Sequence, residues 1–359
     1  MKVYAVLMAG GVGTRFWPRS RSKQPKQVLN ILDHRSMIQA TYERLNGFVD
    51  KNQILIVTNR DQKGIIHEQL PDLNDENFLL EPFGKNTAPC IGLAAIHILH
   101  RDPLGVMAVL PADHRIENVK EFQHVLRLAA NFVSQKDGLV TLGIQPSGPA
   151  TGYGYIQRGV EVQELDGHKI YRVKTFAEKP NYETALRFLE SGDFYWNSGM
   201  FIWKAATILK EIENYLPEIY EGLMEIKSTI GKPDYASVVT DVYQRIRGIS
   251  IDFGVMQLAK DVYVIPTDMG WSDVGSWEAV YEISPKDKNK NAGEYEELIS
   301  INGKECFVYS PDKLVALVGV KNLVVVDTGD ALLICKKNRS EEVKDVVETL
   351  KKRGLEKYL

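Results

Sequence analysis

Short, uninterrupted apolar runs alternate with amphipathic stretches through the first half of the chain. Segments 3–8, 53–58, 78–80, 106–110 and 138–143 read as strands, and segments 36–49, 87–100 and 119–134 carry helical periodicity. Strands that are apolar on both faces and separated by helices predict an α/β fold with a mixed, mainly parallel sheet between helices. Segment 153–179 changes character and reads as strands, 181–190 as a helix, 197–203 as another buried strand and 205–258 as mainly helical. This is the pattern of an insertion on the same platform. A polar, turn-rich linker at 284–293 then leads to short strands at 306–310, 314–319, 323–327 and 332–335. The chain ends in an amphipathic helix with Val343, Val346, Val347 and Leu350 at i, i+3, i+4 and i+7. The expected division is a large α/β domain over 1–284, then a linker and a small β-rich domain with its terminal helix over 285–359.

A length of 359 residues agrees with two domains. With 44% hydrophobic and 25% charged residues, the composition is that of an ordinary globular protein. A net charge of −3 supplies no general attraction to nucleic acid or to acidic membranes, so neither is expected as a partner. An anionic substrate must then be held by a local cluster of cations. Cys90, Cys306 and Cys335 are scattered and form no CxxC pair, which indicates neither a disulfide framework nor a zinc site and points to the cytoplasm. The apolar start at 3–9 is short for a signal peptide and runs directly into a glycine loop. A buried first strand accounts for it better. No run approaches the roughly 20 apolar residues of a transmembrane helix.

That loop reads Gly10-Gly11-Val12-Gly13-Thr14-Arg15-Phe16-Trp17-Pro18. Glycines let backbone N–H groups approach a phosphate chain, and Arg15 adds a planar fork suited to phosphate oxygens. Neither a Walker loop nor a dinucleotide fingerprint fits, since Gly-Lys-Ser/Thr is absent and Phe16 stands where a third glycine is needed. A plain strand-to-loop turn is the bland alternative. Downstream, Lys26 between Pro25 and Gln27 is the better phosphate ligand, and Lys23 is expected in solvent.

These two elements together resemble the signature of the sugar nucleotidyltransferases, and Phe-Trp-Pro with Pro-Lys-Gln resembles the mannose-1-phosphate guanylyltransferase branch. The resemblance continues at Glu81-Pro82-Phe83-Gly84-Lys85-Asn86-Thr87, Pro111-Ala112-Asp113-His114, Thr151-Gly152-Tyr153-Gly154, Glu178-Lys179-Pro180, Trp196-Asn197-Ser198-Gly199 and Gly270-Trp271-Ser272-Asp273. It spans nearly the whole chain. It implies a Rossmann-like, GT-A-like nucleotidyltransferase domain followed by a short left-handed β-helix. It also implies transfer of GMP from GTP to mannose 1-phosphate, giving GDP-mannose and pyrophosphate, with Mg²⁺ as the metal. Arg19, where the family commonly has Leu, departs from the pattern and adds a cation near the phosphate loop.

Asp113 follows the strand at 106–110 and so stands at a carboxyl edge, where open α/β sheets bind ligands. With Asp273, which the resemblance also implies, it would hold Mg²⁺, a cation satisfied by one or two carboxylates plus phosphates and water. Taken alone, Asp113 reads equally as a helix cap. His114 is read as a hydrogen-bonding support and left out of the metal site. The loop from Ala9 through Thr14, with Arg15 and Lys26, would hold the nucleotide phosphates. Glu81 offers a carboxylate to the guanine donors, with Asn86 and Thr87 beside it, though these two would serve equally as a helix cap. Gly152 and Gly154 would wall the sugar, Glu178 and Asn197 would bind its hydroxyls, and Lys179 and Asp273 its phosphate. A solvated turn at Glu178-Lys179 and a buried strand at Asn197 are the alternatives.

The sugar phosphate nucleophile already carries charge near neutral pH, so no general base is required and no Ser–His–Asp set is expected. Catalysis would come from positioning and charge neutralisation. Two other readings remain open: an enzyme of the same fold using another sugar phosphate or base, and a catalytically idle subunit that binds sugar nucleotides. Nothing after the linker resembles a cupin-like half, so isomerase activity is not assigned. Apolar residues on both faces of the C-terminal strands predict that this segment packs on the catalytic domain and contributes to a homodimer interface.

Overall fold

A computed structural model describes residues 2–359. Strands β1 (Val3–Met8), β2 (Ile54–Asn59), β3 (Phe78–Glu81) and β4 (Val106–Pro111) are parallel neighbours in the order β3-β2-β1-β4. Their carboxyl ends lie at one edge, with Met8 opposite Pro111 and Asn59 opposite Glu81. Helices α1 (Met37–Glu43), α2 (Arg60–Gln69), α3 (Thr87–Arg101) and α4 (Val119–Gln135) occupy the intervals. Side-chain caps fix their starts: Ser36 accepts from the Gln39 amide, Asn59 from Gln62 and Asn118 from Glu121.

The platform continues with β5 (Leu139–Ile144), the hairpin β6 (Gly154–Leu165) and β7 (His168–Glu178), α5 (Tyr182–Ser191) and β8 (Phe194–Lys204). Then come α6 (Ala205–Tyr215), α7 (Pro217–Thr229), α8 (Tyr235–Arg245), β9 (Val262–Thr267) and α9 (Trp277–Ile283). All nine strands join one mixed sheet, ordered β3-β2-β1-β4-β8-β5-β9-β7-β6. Its parallel character lies in the first four strands and in β5 with β9. The β6–β7 hairpin and β8, which runs antiparallel between β4 and β5, supply the antiparallel pairings. One face packs under α4 through Phe122, Leu126 and Val133. The other packs under α3 and α6–α8 through Leu93, Ile208, Leu223 and Tyr243.

Beyond α9, β10 (Ala292–Ile301), β11 (Phe307–Val318), β12 (Leu323–Asp327) and β13 (Leu332–Lys336) form a separate four-stranded sheet, followed by α10 (Val343–Lys352). Three successive parallel strands, β10, β11 and β12, stack as coils, and β13 closes antiparallel. Two expectations change here. The segments read as strands at 306–310 and 314–319 are one strand, and Ser310-Pro311-Asp312 is no reversal. Pro311 cannot donate to the ladder, and between Ser310 and Leu314 the pairing with β10 shifts register. The linker also ends sooner, because Ala292 already pairs with Phe307.

This small sheet docks on the start of the chain. Phe16, Trp17 and Trp277 share a buried cluster with Phe307, Val324, Val326, Leu333, Val343 and Val347. Trp17 Nε1 donates to the Tyr358 carbonyl at 2.9 Å, and Arg21 meets Asp330 at 3.1 Å. Arg19 belongs to the same junction. It donates to Asn30 and lies 4.0 Å over the Tyr309 ring, so it is not a cation of the phosphate loop. No helix among the described residues is long and apolar enough to cross a membrane.

Candidate active site

The glycine loop leaves β1 with its carbonyls turned inward. Gln27 Nε2 donates to the carbonyls of Ala9 (2.7 Å) and Gly11 (2.9 Å), the Lys26 amide to Val12, and Ser20 Oγ to Gly13. The amides of residues 10–13 find no acceptor among the described residues, so they form a set of free donors of the kind that binds phosphate. Gly13 is fixed twice over. It sits at φ 71°, and a Cβ there would lie 2.3 Å from that of Lys26. Pro-Lys-Gln is thus the floor of the glycine loop, which the sequence spacing alone does not reveal.

Lys26 is buried. Its Nζ meets Asp113 Oδ2 at 2.8 Å and the Asp273 carbonyl at 2.8 Å. Burial pushes the Asp113 carboxyl up, but the charge and hydrogen bond of Lys26 outweigh it and leave the group below the usual carboxylate range. Asp273 Oδ1 accepts from the Tyr153 hydroxyl at 2.9 Å. Two backbone bonds between Arg115 and Ser272, of 2.8 and 3.1 Å, hold the loops carrying the two acids side by side. His114 Nδ1 accepts from Trp271 Nε1 at 3.1 Å, and burial pulls its pKa down to about 4, so it is a neutral hydrogen-bonding group. Lys23 is exposed.

A cavity of about 600 Å³ opens along the carboxyl edge of the sheet. Its wall contains Gly10, Gly11, Glu81, Asn86, Thr87, Gly152, Gly154, Glu178, Asn197 and Asp273 of the expected residues. Ala9, Gly13, Thr14, Arg15, Lys26, Asp113 and Lys179 stand outside the wall proper. Asp113 lies between the wall residues Pro111 and His114, and Arg15 is close enough for its charge to act on Tyr153. Lys179 is exposed, at φ 48°, and pairs with Glu178 Oε1 at 3.0 Å.

At the end beneath β3, burial pushes the Glu81 carboxyl up to about 7 against the opposing hydrogen bond that Tyr243 donates at 3.1 Å. Asn86 Oδ1 caps α3 by accepting from the Thr87 amide, and Thr87 Oγ1 accepts from Ile251. The capping role is therefore real for Asn86, whose amide group makes no hydrogen bond among the described residues, and the Thr87 hydroxyl is a tie to the insertion.

The opposite end holds Glu178, Asn197 and a residue that sequence reasoning missed, Asp252. Asn197 Nδ2 donates to Asp252 Oδ1 at 2.8 Å, while its own oxygen accepts from Thr141 and Gly199. Asn197 thus serves to aim Asp252. Burial, then the charge of Glu178, pushes the Asp252 carboxyl up to about 6. Glu178 Oε2 is buried with no hydrogen-bond partner among the described residues. Gly154 makes room for it, because a Cβ there would lie 2.4 Å from that oxygen. Two acids facing a cleft with unmet acceptor capacity suit a ligand rich in hydroxyl donors.

The nucleotidyl transferase family matches residues 4–290, and the MannoseP isomerase/GMP-like beta-helix domain matches residues 296–350. A mannose-1-phosphate guanylyltransferase of Klebsiella pneumoniae is 40% identical over 98% of this chain and 75% of its own length. One from Escherichia coli is 41% identical with the same coverage. The chain belongs to the mannose-1-phosphate guanylyltransferase family. A solved structure from Thermus thermophilus, named a mannose-1-phosphate geranyltransferase, is 32% identical, covers 98% of this chain and 100% of that one, and superposes with a TM-score of 0.87.

Among the described residues of this guanylyltransferase-family chain, no three His, Cys, Asp or Glu side chains gather as a ready-made metal cage. A hard divalent cation needs no such cage, since one or two carboxylates suffice when substrate phosphates and water complete its shell. Asp113 and Asp273, on bridged loops beside the free amides of the glycine loop, are a donor set of that kind.

Proposed function

We propose that the chain transfers GMP from GTP to α-D-mannose 1-phosphate, releasing pyrophosphate and forming GDP-mannose. One observation carries this reading: the cleft has a buried carboxylate at one end, Glu81, and a hydroxyl-accepting pair at the other, Glu178 with Asp252. In the strand order β3-β2-β1-β4-β8 the glycine loop after β1 and Asp113 after β4 fall between Glu81 on β3 and Asn197 on β8, which holds Asp252.

Glu81 would accept from the two donors on the Watson–Crick edge of guanine, with the Asn86 amide group reaching base or ribose. The amides of residues 10–13, with Arg15 and Lys26, would hold the triphosphate. Glu178 and Asp252 would accept from sugar hydroxyls between the backbone walls at Gly152 and Gly154, and Lys179 would meet the sugar phosphate from the rim. Asp113 and Asp273 would hold Mg²⁺, which when bound supplies neutralising charge at the α-phosphate. The reaction is in-line attack by a phosphate oxygen of the sugar on the α-phosphorus, breaking the bond to pyrophosphate. The nucleophile is already ionised, so the neutral His114 need move no proton. Positioning and charge do the rest.

We also propose that this enzyme acts in the cytoplasm as a homodimer. Ile299 and Ile301 on β10, Leu314 and Val318 on β11, and Leu332 and Ile334 on β13 are all exposed, a set of apolar side chains suited to a second copy.

The test is pyrophosphate release with GTP, UTP, dTTP and ATP, each against mannose 1-phosphate and glucose 1-phosphate. GTP with mannose 1-phosphate should give the highest kcat/KM. Preference for another pair, or no release from any pair, would overturn the assignment.

A further inference from the structure

Behind the catalytic aspartate lies a second cavity, of about 400 Å³, between α1, residues 114–119 and the chain at 283–285. His114 lines both this cavity and the main cleft, yet the proposed reaction has no use for the second space. Its wall contains three arginines, Arg35, Arg44 and Arg115. Two are matched by acids: Arg35 meets Asp33 at 2.6 Å and Glu43 at 2.8 Å, and Arg115 meets Glu117 at 2.5 Å. Arg44 has no acid partner among the described residues. It is only 8% exposed, and its charge meets neutral oxygens, those of Ala40 at 3.0 Å, of the Thr41 hydroxyl and of the His114 carbonyl at 2.7 Å. Its Nη1 forms no hydrogen bond among the described residues, which leaves donors free at the cavity wall. A buried cation without a counter-charge is unfavourable unless something completes it, and a guanidinium fork matches phosphate oxygens.

We propose that this cavity is a regulatory anion site that takes a phosphorylated small molecule, its phosphate on Arg44 and its apolar part beside Met37, Ile116 and Ile283. The site is wired to the chemistry. Arg44, the C-cap of α1, holds the carbonyl of His114, and Thr41, one turn earlier in α1, holds that of Ala112 at 3.0 Å. Helix α1 therefore grips the backbone on both sides of Asp113. The paired bonds from Arg115 to Ser272 extend the same linkage to the loop of Asp273. A phosphate on the free Nη1 draws the guanidinium toward the cavity, loads the Nη2 bond to the His114 carbonyl and so shifts both acids. Binding does not depend on the proposed reaction; the coupling to turnover rests on it.

The test uses the full chain with labelled inorganic phosphate as probe, measured by equilibrium dialysis. Ala40→Leu fills the cavity and leaves the main cleft intact; Arg44→Gln removes the charge. The wild-type chain should bind one more phosphate than either variant, and circular dichroism checks that both fold. With GTP and mannose 1-phosphate saturating, phosphate should change the wild-type kcat by about fivefold or more, the lower end of ordinary allosteric coupling. Ala40→Leu should turn over at near the wild-type rate and ignore phosphate. Equal phosphate stoichiometry in all three proteins overturns the site. A stoichiometry difference with inhibition that is purely competitive overturns the coupling. Should no substrate pair turn over, the dialysis result still decides the site, while the proposed reaction falls separately.

Discussion

The Lys26 ammonium lies 2.8 Å from Asp113 Oδ2 and donates at the same distance to the backbone carbonyl of Asp273. One buried cation therefore ties the glycine loop, through Gly13, to both acid-bearing loops. A triphosphate that reaches Lys26 competes with Asp113 for it, so nucleotide entry and acid position are linked. Lys26→Ala should raise KM for GTP by about tenfold or more, the worth of one charge-assisted hydrogen bond, and raise that for mannose 1-phosphate much less. Steady-state kinetics with each substrate varied in turn checks this. Equal losses for both substrates would count against a triphosphate role.

Asp113→Ala and Asp273→Ala should each lower kcat by about a hundredfold or more, in the range found when one electrostatic contact to a reacting group is removed. Far-UV circular dichroism should still show a folded protein, although Asp113→Ala leaves the buried Lys26 without its counter-charge and should lower the Tm. Near-normal rates with Mg²⁺ present would remove that residue from the metal site.

The first-half strands were legible because each is apolar on both faces and bounded by turns, and the motifs fell at their carboxyl ends. Helix α2 was not, since Ile66 is its one buried apolar residue and its start depends on the Asn59 cap. Helix α9 is two turns long and rests on the Ser276 cap. In the site, loop residues close in sequence could be read as groups. Asp252 could not. It lies 55 residues from Asn197, within a mainly helical stretch, and only the insertion folding back on the sheet aims it at Glu178. Arg19 misled for the complementary reason, as its partner Tyr309 lies in the other sheet.

Glu81 predicts a pH dependence. Its carboxyl is pushed up to about 7, and only the ionised form accepts from guanine. Protons therefore compete with GTP, so KM for GTP should rise as pH falls from 8 to 6. The loss through this group is about tenfold, the ratio of ionised fractions on either side of pH 7. Glu81→Gln should raise KM at pH 8 and remove this part of the profile. The γ-phosphate of GTP titrates nearby, so the readout is the difference between wild type and variant. Parallel profiles would show that Glu81 does not meet the base.

Asp252→Asn keeps the shape of the side chain and the contact with Asn197 but removes an acceptor of full charge. Hydrogen bonds to charged groups are worth about 1.5–3 kcal/mol, so KM for mannose 1-phosphate should rise about ten- to a hundredfold. GTP binding should change little, since Asp252 meets Asn197 and Glu178 and makes no contact with Glu81 among the described residues. Unchanged sugar KM would reduce Asp252 to a support for the π-helical turn at Asp252–Met256.

The C-terminal sheet has two faces with different work, and they can be separated. Its inner face reaches the glycine loop: Phe16 packs on Trp277 at 5.1 Å between centroids, and Trp277 on Phe307 at 5.4 Å. Ending the chain after Asn291 removes Phe307, Val324, Val326, Leu333, Val343 and Val347 from that cluster and uncovers Phe16, Trp17 and Trp277. All proposed catalytic residues survive, yet the truncated protein should be less soluble and bind GTP more weakly, because the loop loses its backing. The outer face carries Leu332 and Ile334, which alternate with the buried Leu333 and leave the docking cluster untouched. Leu332→Lys with Ile334→Lys in the full-length chain should therefore abolish the dimer in sedimentation velocity while turnover persists. A wild-type chain that sediments as a monomer sinks the dimer and leaves the docking role standing. A truncated chain that keeps full solubility and its GTP affinity sinks the docking role instead.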